Sequence, residues 1–200
     1  MTRRHLVLFV RAPRWGVGKR RLARDIGDAA ALRFERGMLG LLVRRLGRGK
    51  RWQLRLAVTP DRARRRARLW PRGAVVTAQG EGDLGQRMRR ALALCPPGPA
   101  VLVGSDIPAL SARHIADAFR LLGRHDLVFG PAGDGGFWLV GVRRSPRLPP
   151  LFGPVRWSGL HALADALSNL PPGVTVGFAA RLEDVDDGAS YRRLAPRRGF

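Results

Sequence analysis

Only one cysteine, Cys95, and two lysines, Lys19 and Lys50, occur among the 200 residues, and 15 acidic side chains face 37 basic ones. A lone cysteine excludes an intrachain disulfide, and no Cys/His cluster has zinc-ligand spacing. No apolar run approaches the roughly 18 residues that a membrane-spanning helix requires. The opening Met1-Thr2-Arg3-Arg4-His5, with residues 6–10 apolar, imitates a signal peptide. Its apolar stretch is too short, and Arg11, Arg14 and Lys19 follow at once, so a cytoplasmic location is expected. The four histidines (His5, His114, His125, His161) are scattered and none follows a convincing nucleophile, which argues against a serine-type triad.

The net charge of +22 suggests polyanionic partners. Because nearly all of that charge is arginine, a GC-rich coding bias acting on solvated faces accounts for it whatever the function. The densest run, Arg62-Ala63-Arg64-Arg65-Arg66-Ala67-Arg68, reads as a solvated helix face. It lacks the interleaved aromatics that stack bases in single-strand binders. A nucleic-acid-binding protein with a vestigial enzymatic site, using residues 62–72 as its contact face, is kept as an alternative from a different class.

Short aliphatic runs alternate with amphipathic segments. Strands are predicted over residues 6–10, 53–58, 74–77, 100–103, 127–129, 137–142 and 174–178. Helices are predicted over 19–26, 29–46, 84–94, 113–122 and 160–167. This alternation indicates a single-domain, three-layer α/β/α Rossmann-like fold with a mostly parallel sheet. Residues 127–129 and 137–142 are joined by a tight Gly-rich turn without a helix, so one of the two is expected to run antiparallel. One domain over 1–194 and a frayed tail at 195–200 are expected.

Five constellations carry chemistry. The loop Arg11-Ala12-Pro13-Arg14-Trp15-Gly16-Val17-Gly18-Lys19-Arg20-Arg21 lies between a strand and a helix. Glycines there free backbone N–H groups for an anion, and Lys19 and Arg21 add cations. A Walker A motif is excluded, since Pro13 stands at its first glycine position and Arg20 follows Lys19. The second segment, Gly82-Asp83-Leu84-Gly85-Gln86-Arg87, permits close approach of a flat ligand, with Asp83 available as a helix cap. Third and fourth are Gly104-Ser105-Asp106-Ile107-Pro108, at the tip of an apolar strand, and Gly133-Asp134-Gly135-Gly136. Carboxylates in such turns, completed by substrate phosphates and water, suit Mg²⁺ or Mn²⁺, so Asp106 and Asp134 are the expected catalytic and metal-binding acids. The fifth, Asp184-Val185-Asp186-Asp187, supplies either a further ligand or a cap for the last helix, with capping favoured. Trp157-Ser158 is a candidate lining of an acceptor pocket.

Taken in order, these motifs, with Phe137-Trp138-Leu139-Val140-Gly141 after the second acidic turn, resemble the DUF2064 family of GT-A-type glycosyltransferase-like proteins, some of them linked to arsenosugar biosynthesis. The resemblance runs from about His5 to about Tyr191. It implies a nucleotide-diphospho-sugar transferase fold, shared with molybdenum-cofactor and phospholactate nucleotidyltransferases. It further implies a metal-dependent glycosyltransferase taking a nucleotide-sugar donor and a small-molecule acceptor, with a nucleotidyltransferase as the alternative. Pro13, Gly16, Lys19, Arg21, Gly82, Asp83, Leu84, Gly85, Arg87 and Ser105 would bind the nucleotide, and Phe137, Trp138, Trp157 and Ser158 would line the acceptor pocket. The chain departs from the family pattern at Arg20, where Thr is usual, at Phe137-Trp138, which replaces a Tyr-Tyr pair, and at Gly159. Its Asp184-Val185-Asp186 also lacks the usual Thr-Pro-Glu continuation.

Overall fold

Strand β1 (His5–Arg11) has five buried residues among its seven, as expected of a strand covered on both faces. It lies inside a seven-stranded sheet with β2 (Gln53–Thr59), β3 (Val75–Ala78), β4 (Ala100–Val103), β5 (Leu127–Pro131), β6 (Phe137–Val142) and β7 (Val176–Phe178). The order is β3-β2-β1-β4-β6-β5-β7. β6 runs antiparallel to both β4 and β5, while the other pairings are parallel. The antiparallel strand expected beside the Gly-rich turn is therefore β6. The computed structural model describes residues 3–48, 51–144, 148–157 and 159–194.

Alternation along β1 divides the core into two layers. Leu6, Leu8 and Val10 pack with Phe34, Met38 and Leu42 of helix α2 (Asp28–Gly47) and with Ile115 and Phe119 of α4 (Ala112–Leu121). Val7 faces the other way, toward Met88 and Leu92 of α3 (Leu84–Ala93) and Ala166 of α5 (Ala162–Ser168). Two short helices, α1 (Arg20–Ile26) and α6 (Gly188–Leu194), lie against one another. The rings of Phe34 and Tyr191, 5.5 Å apart and edge to face, tie α6 to α2. Burying a Phe or Leu side chain is worth about 1.5–3 kcal/mol, so these two layers fix the helices on either face of the sheet.

Two expectations change. The arginine-rich segment is not an α-helix but two 3₁₀ segments, Asp61–Arg65 and Ala67–Leu69. Only Ala63 is buried within them, so no apolar stripe recurs at helical spacing. The Trp70 indole donates to the Ala63 carbonyl (2.8 Å), fastening the segment where a longer helix would need that acceptor. The helix expected from residue 160 starts instead at Ala162, and Leu160 is exposed. There Gly135, at φ 83°, passes so close that a Cβ would lie 2.3 Å from the Leu160 carbonyl oxygen. Only glycine fits that turn without strain.

Candidate functional site

Beyond β1 the sheet grows in opposite directions, through β2 and β3 on one side and β4 on the other. A crevice opens outside the C-terminal ends of β1 and β4, the place where open α/β sheets bind ligands. Two contiguous cavities of about 350 and 490 Å³ fill it and share Lys19, Asp106, Phe137 and Trp138.

Lys19 enters from the β1–α1 loop as the N-cap of α1, in the left-handed region at φ 42° and ψ 51°. Non-glycine residues are uncommon there. Its ammonium lies 2.6 Å from Asp106 Oδ2 and 2.6 Å from Asp186 Oδ1, with 13% of the side chain exposed. Burial alone would depress its pKa, but the Asp106 and Asp186 carboxylates outweigh burial and hold the ammonium above the ordinary lysine range.

Asp106 is delivered by the fully buried β4, whose pairing to β6 extends one step further through Gly104 N–H to the Trp138 carbonyl (3.1 Å). The Val185 N–H donates to the Asp106 carbonyl (3.0 Å), drawing the late acidic segment onto this turn. Asp106, Asp184 and Asp186 each offer a carboxylate oxygen within 4.8 Å of the others. Burial, reinforced by the Asp106 and Asp186 charges, pushes Asp184 up to about 6. The fifth constellation thus divides its work. Asp187 caps α6 by accepting the Ser190 N–H (2.8 Å), whereas Asp184 and Asp186 face the crevice.

The smaller cavity is framed by Arg11, Pro13, Thr59, Gln79, Arg87 and Ser105. Gln79 is buried and bridges two strand ends, donating to the Val10 (3.1 Å) and Ala57 (2.9 Å) carbonyls. Arg87 donates to Gln79 Oε1 and lies 5.7 Å from the Phe9 ring, while its buried Nε has no partner among the described residues. Asp83 works as a cap: its Oδ1 accepts the Gln86 N–H (2.8 Å), and Gln86 Oε1 accepts the Asp83 N–H in return (3.1 Å). Gly82 and Asp83 stand exposed beside that cap, and Gly16 is exposed on its loop. Gly85 is buried instead, because a Cβ there would lie 2.6 Å from the Trp157 ring.

The larger cavity runs past Arg20, Arg21, Leu84, Asp134 and Trp157. Phe137, Phe152 and Trp157 form one aromatic cluster with centroids 5.7–6.3 Å apart. Trp138 touches the cavity but is mostly buried, its indole donating to the Ala180 carbonyl (3.0 Å). Asp134 lies outside the three-carboxylate cluster, and its Oδ1 accepts the Gly136 N–H (2.9 Å). Ser158 falls outside the described residues, as does the tail at 195–200.

Sequence reasoning passed over Glu35 and undervalued Asp184. Glu35 lies in the smaller cavity against Gly18, and burial raises its pKa despite Lys19 and Arg11 nearby. It lies within the stripe Ala31, Phe34, Met38, Leu42 that α2 buries.

This sheet order, with its single reversed strand and its crevice at the switch point, defines a GT-A-like fold of the kind that nucleotide-sugar-related transferases use. A solved structure from Desulfovibrio desulfuricans G20, described provisionally as a nucleotide-diphospho-sugar transferase, matches with a TM-score of 0.85 and 26% identity over 98% of this chain and 92% of that one. CMP:2-keto-3-deoxy-manno-octonic acid synthetase complexed with CTP shares the fold at a TM-score of 0.61 and 10% identity, over 96% of each chain. Glucosyl-3-phosphoglycerate synthase from Mycobacterium tuberculosis, in complex with Mn²⁺, UDP and glucosyl-3-phosphoglycerate, gives 0.53 and 14%, over 91% of this chain and 70% of that one. No curated protein matches the chain. Residues 42–159 match DUF2064, described as an uncharacterized protein conserved in bacteria, and the chain belongs to that family.

Proposed function

We propose that this protein is a metal-dependent glycosyltransferase that moves a sugar from a nucleotide-diphospho-sugar to a small-molecule acceptor. The observation that carries the reading is the meeting of Lys19, Asp106, Asp184 and Asp186 at the join between two cavities. The smaller cavity takes the nucleotide, with Arg11, Gln79 and Arg87 as its polar wall. The larger takes the sugar and acceptor against Phe137 and Trp157. Asp134 belongs to the acceptor side, with Oδ2 free to accept a hydrogen bond from an acceptor hydroxyl.

The donor set at the join fits a hard divalent cation such as Mg²⁺ or Mn²⁺, since all three groups are carboxylates able to converge on one ion. When bound, such an ion neutralises the diphosphate. Lys19 and Arg21 hold the phosphates and stabilise the negative charge that develops as the anomeric C–O bond breaks. The acceptor hydroxyl oxygen forms the new bond at that carbon, its proton passes to the departing diphosphate, and the nucleoside diphosphate leaves. The apolar wall excludes water that would otherwise compete with the acceptor.

Asp106→Asn is expected to abolish Mn²⁺-dependent binding of nucleotide sugars while leaving Tm near the wild-type value. Unchanged metal-dependent binding would remove Asp106 from the mechanism. The CTP-bound neighbour supports a second reading, a nucleotidyltransferase in which the acceptor attacks the α-phosphate and pyrophosphate departs. A thermal-shift screen separates the two, comparing NTPs with UDP-, GDP- and dTDP-sugars, each with Mn²⁺. Ligand at 100 times its Kd adds about 2.7 kcal/mol of stability. Preferential stabilisation by an NTP would favour the second reading.

A further inference from the structure

The ammonium of Lys19 is paired with carboxylates that would hold the metal. It donates to Asp106 and Asp186, each at 2.6 Å, and these are two of the three carboxylates whose oxygens lie within 4.8 Å of one another. An ammonium has donors only and no lone pair, so it cannot act as a ligand itself. A +1 and a +2 charge held by the same two carboxylates in a half-buried crevice repel one another strongly. The two occupants therefore exclude each other.

We infer that Lys19 is a resident substitute for the divalent metal, holding the acidic cluster together until it is displaced, so that the metal enters only as Lys19 swings onto the phosphates of the nucleotide. The inference rests on the metal reading of this cluster given above. Two features of the chain make the exchange feasible. The Lys19 backbone is pinned at the head of α1, its carbonyl accepting the Ala23 N–H (2.8 Å), so only the flexible four-carbon stem has to move. The Glu35 carboxyl also lies in the smaller cavity, where the Lys19 charge reaches it. The ammonium thus stays partly compensated as it turns toward that cavity. The consequence is obligatory coupling: metal alone binds weakly, because it must first evict a well-paired cation.

The test uses Mn²⁺ as the only ligand, its free signal followed by electron paramagnetic resonance in wild type and in Lys19→Met. Losing charged hydrogen bonds of this kind is worth a factor of about ten or more, so the variant is expected to bind Mn²⁺ at least about tenfold more tightly than wild type. Equal affinities would overturn the inference while leaving the metal reading intact. Failure of both proteins to take up Mn²⁺, with or without UDP, CDP or GDP, would remove the metal reading and the inference with it. Should Lys19→Met not fold, the wild-type protein decides alone. The sequence has only two lysines, so limited acetylation read by mass spectrometry reports on Lys19 with Lys50 as an internal reference. Saturating Mn²⁺ is expected to raise Lys19 acetylation relative to Lys50; an unchanged ratio at saturation would overturn the exchange.

Discussion

Lys19 differs from the arginines around it in shape as well as in position. An ammonium is a compact point charge that fits between two carboxylates, whereas a guanidinium is a planar fork that needs more room. Removing it should therefore cost more than removing a surface cation. With Mn²⁺ at saturation, Lys19→Ala is expected to weaken nucleotide binding by about 1.5–3 kcal/mol, the range for hydrogen bonds to charged groups. Arg66→Ala, exposed in the 3₁₀ region, should change it little. Equal losses by calorimetry would mean that the basic surface attracts nucleotides diffusely. Lys19 and Asp106 stood out in the sequence, Lys19 because it follows Gly18 where a strand-to-helix loop enters its helix and Asp106 because it lies just past the tip of β4 after Gly104. Glu35 did not, because a single acid within a helix reads as surface until the helix is seen to bury that stripe.

At the scale of elements, the loop that presents Trp157 to the larger cavity is fastened to α5 by one carboxylate. Asp165 accepts from the Arg156 backbone N–H (2.9 Å) and from its guanidinium at Nε (2.9 Å) and Nη2 (2.7 Å). The Arg156 side chain, then its backbone N–H, holds the Asp165 pKa well below the usual carboxylate range. A depressed folded-state pKa means that the stabilisation is present above the unfolded value of 3.8 and is lost as pH falls toward the folded one. Asp165→Asn is accordingly expected to lower Tm at neutral pH, with the deficit shrinking below pH 3.8. Melting curves from neutral to acidic pH check this, and a deficit independent of pH would exclude the ion pair as its cause. The elements themselves were largely visible from apolar runs and Gly-Pro punctuation. What periodicity could not supply was the partner of the late acidic segment, because the Val185–Asp106 hydrogen bond joins residues 79 positions apart. Nor could it fix the form of residues 61–69, where five arginines among nine residues leave no apolar stripe to read.

For the whole molecule, the excess of positive charge is the feature most open to misreading. Counterion release makes nucleic-acid binding by diffuse charge fall steeply with salt. Fluorescence anisotropy with duplex DNA is expected to show weak binding that disappears by about 0.15 M salt, where screening lengths shorten to about 8 Å. Persistence of tight binding there would revive the nucleic-acid reading, with the 62–72 face as its first suspect. The fold class was legible because alternating strands and helices leave few arrangements; the pair of adjoining cavities was not, because it depends on how distant segments meet at one edge of the sheet.

The hydrogen bond from Val185 to Asp106 and the packing of α6 on α1 also bear on how the protein comes into being. Two of the three clustered carboxylates, and one of the two that grip Lys19, come from residues 184 and 186. A nascent chain still holding those residues inside the ribosome has strands β1 to β4 available but an incomplete acidic cluster. Proteolytic loss of the same few residues would return a finished molecule to that condition. The acidic cluster is therefore complete only once residues 184–186 have docked on the turn after β4, so its assembly depends on the fold closing across distant parts of the chain.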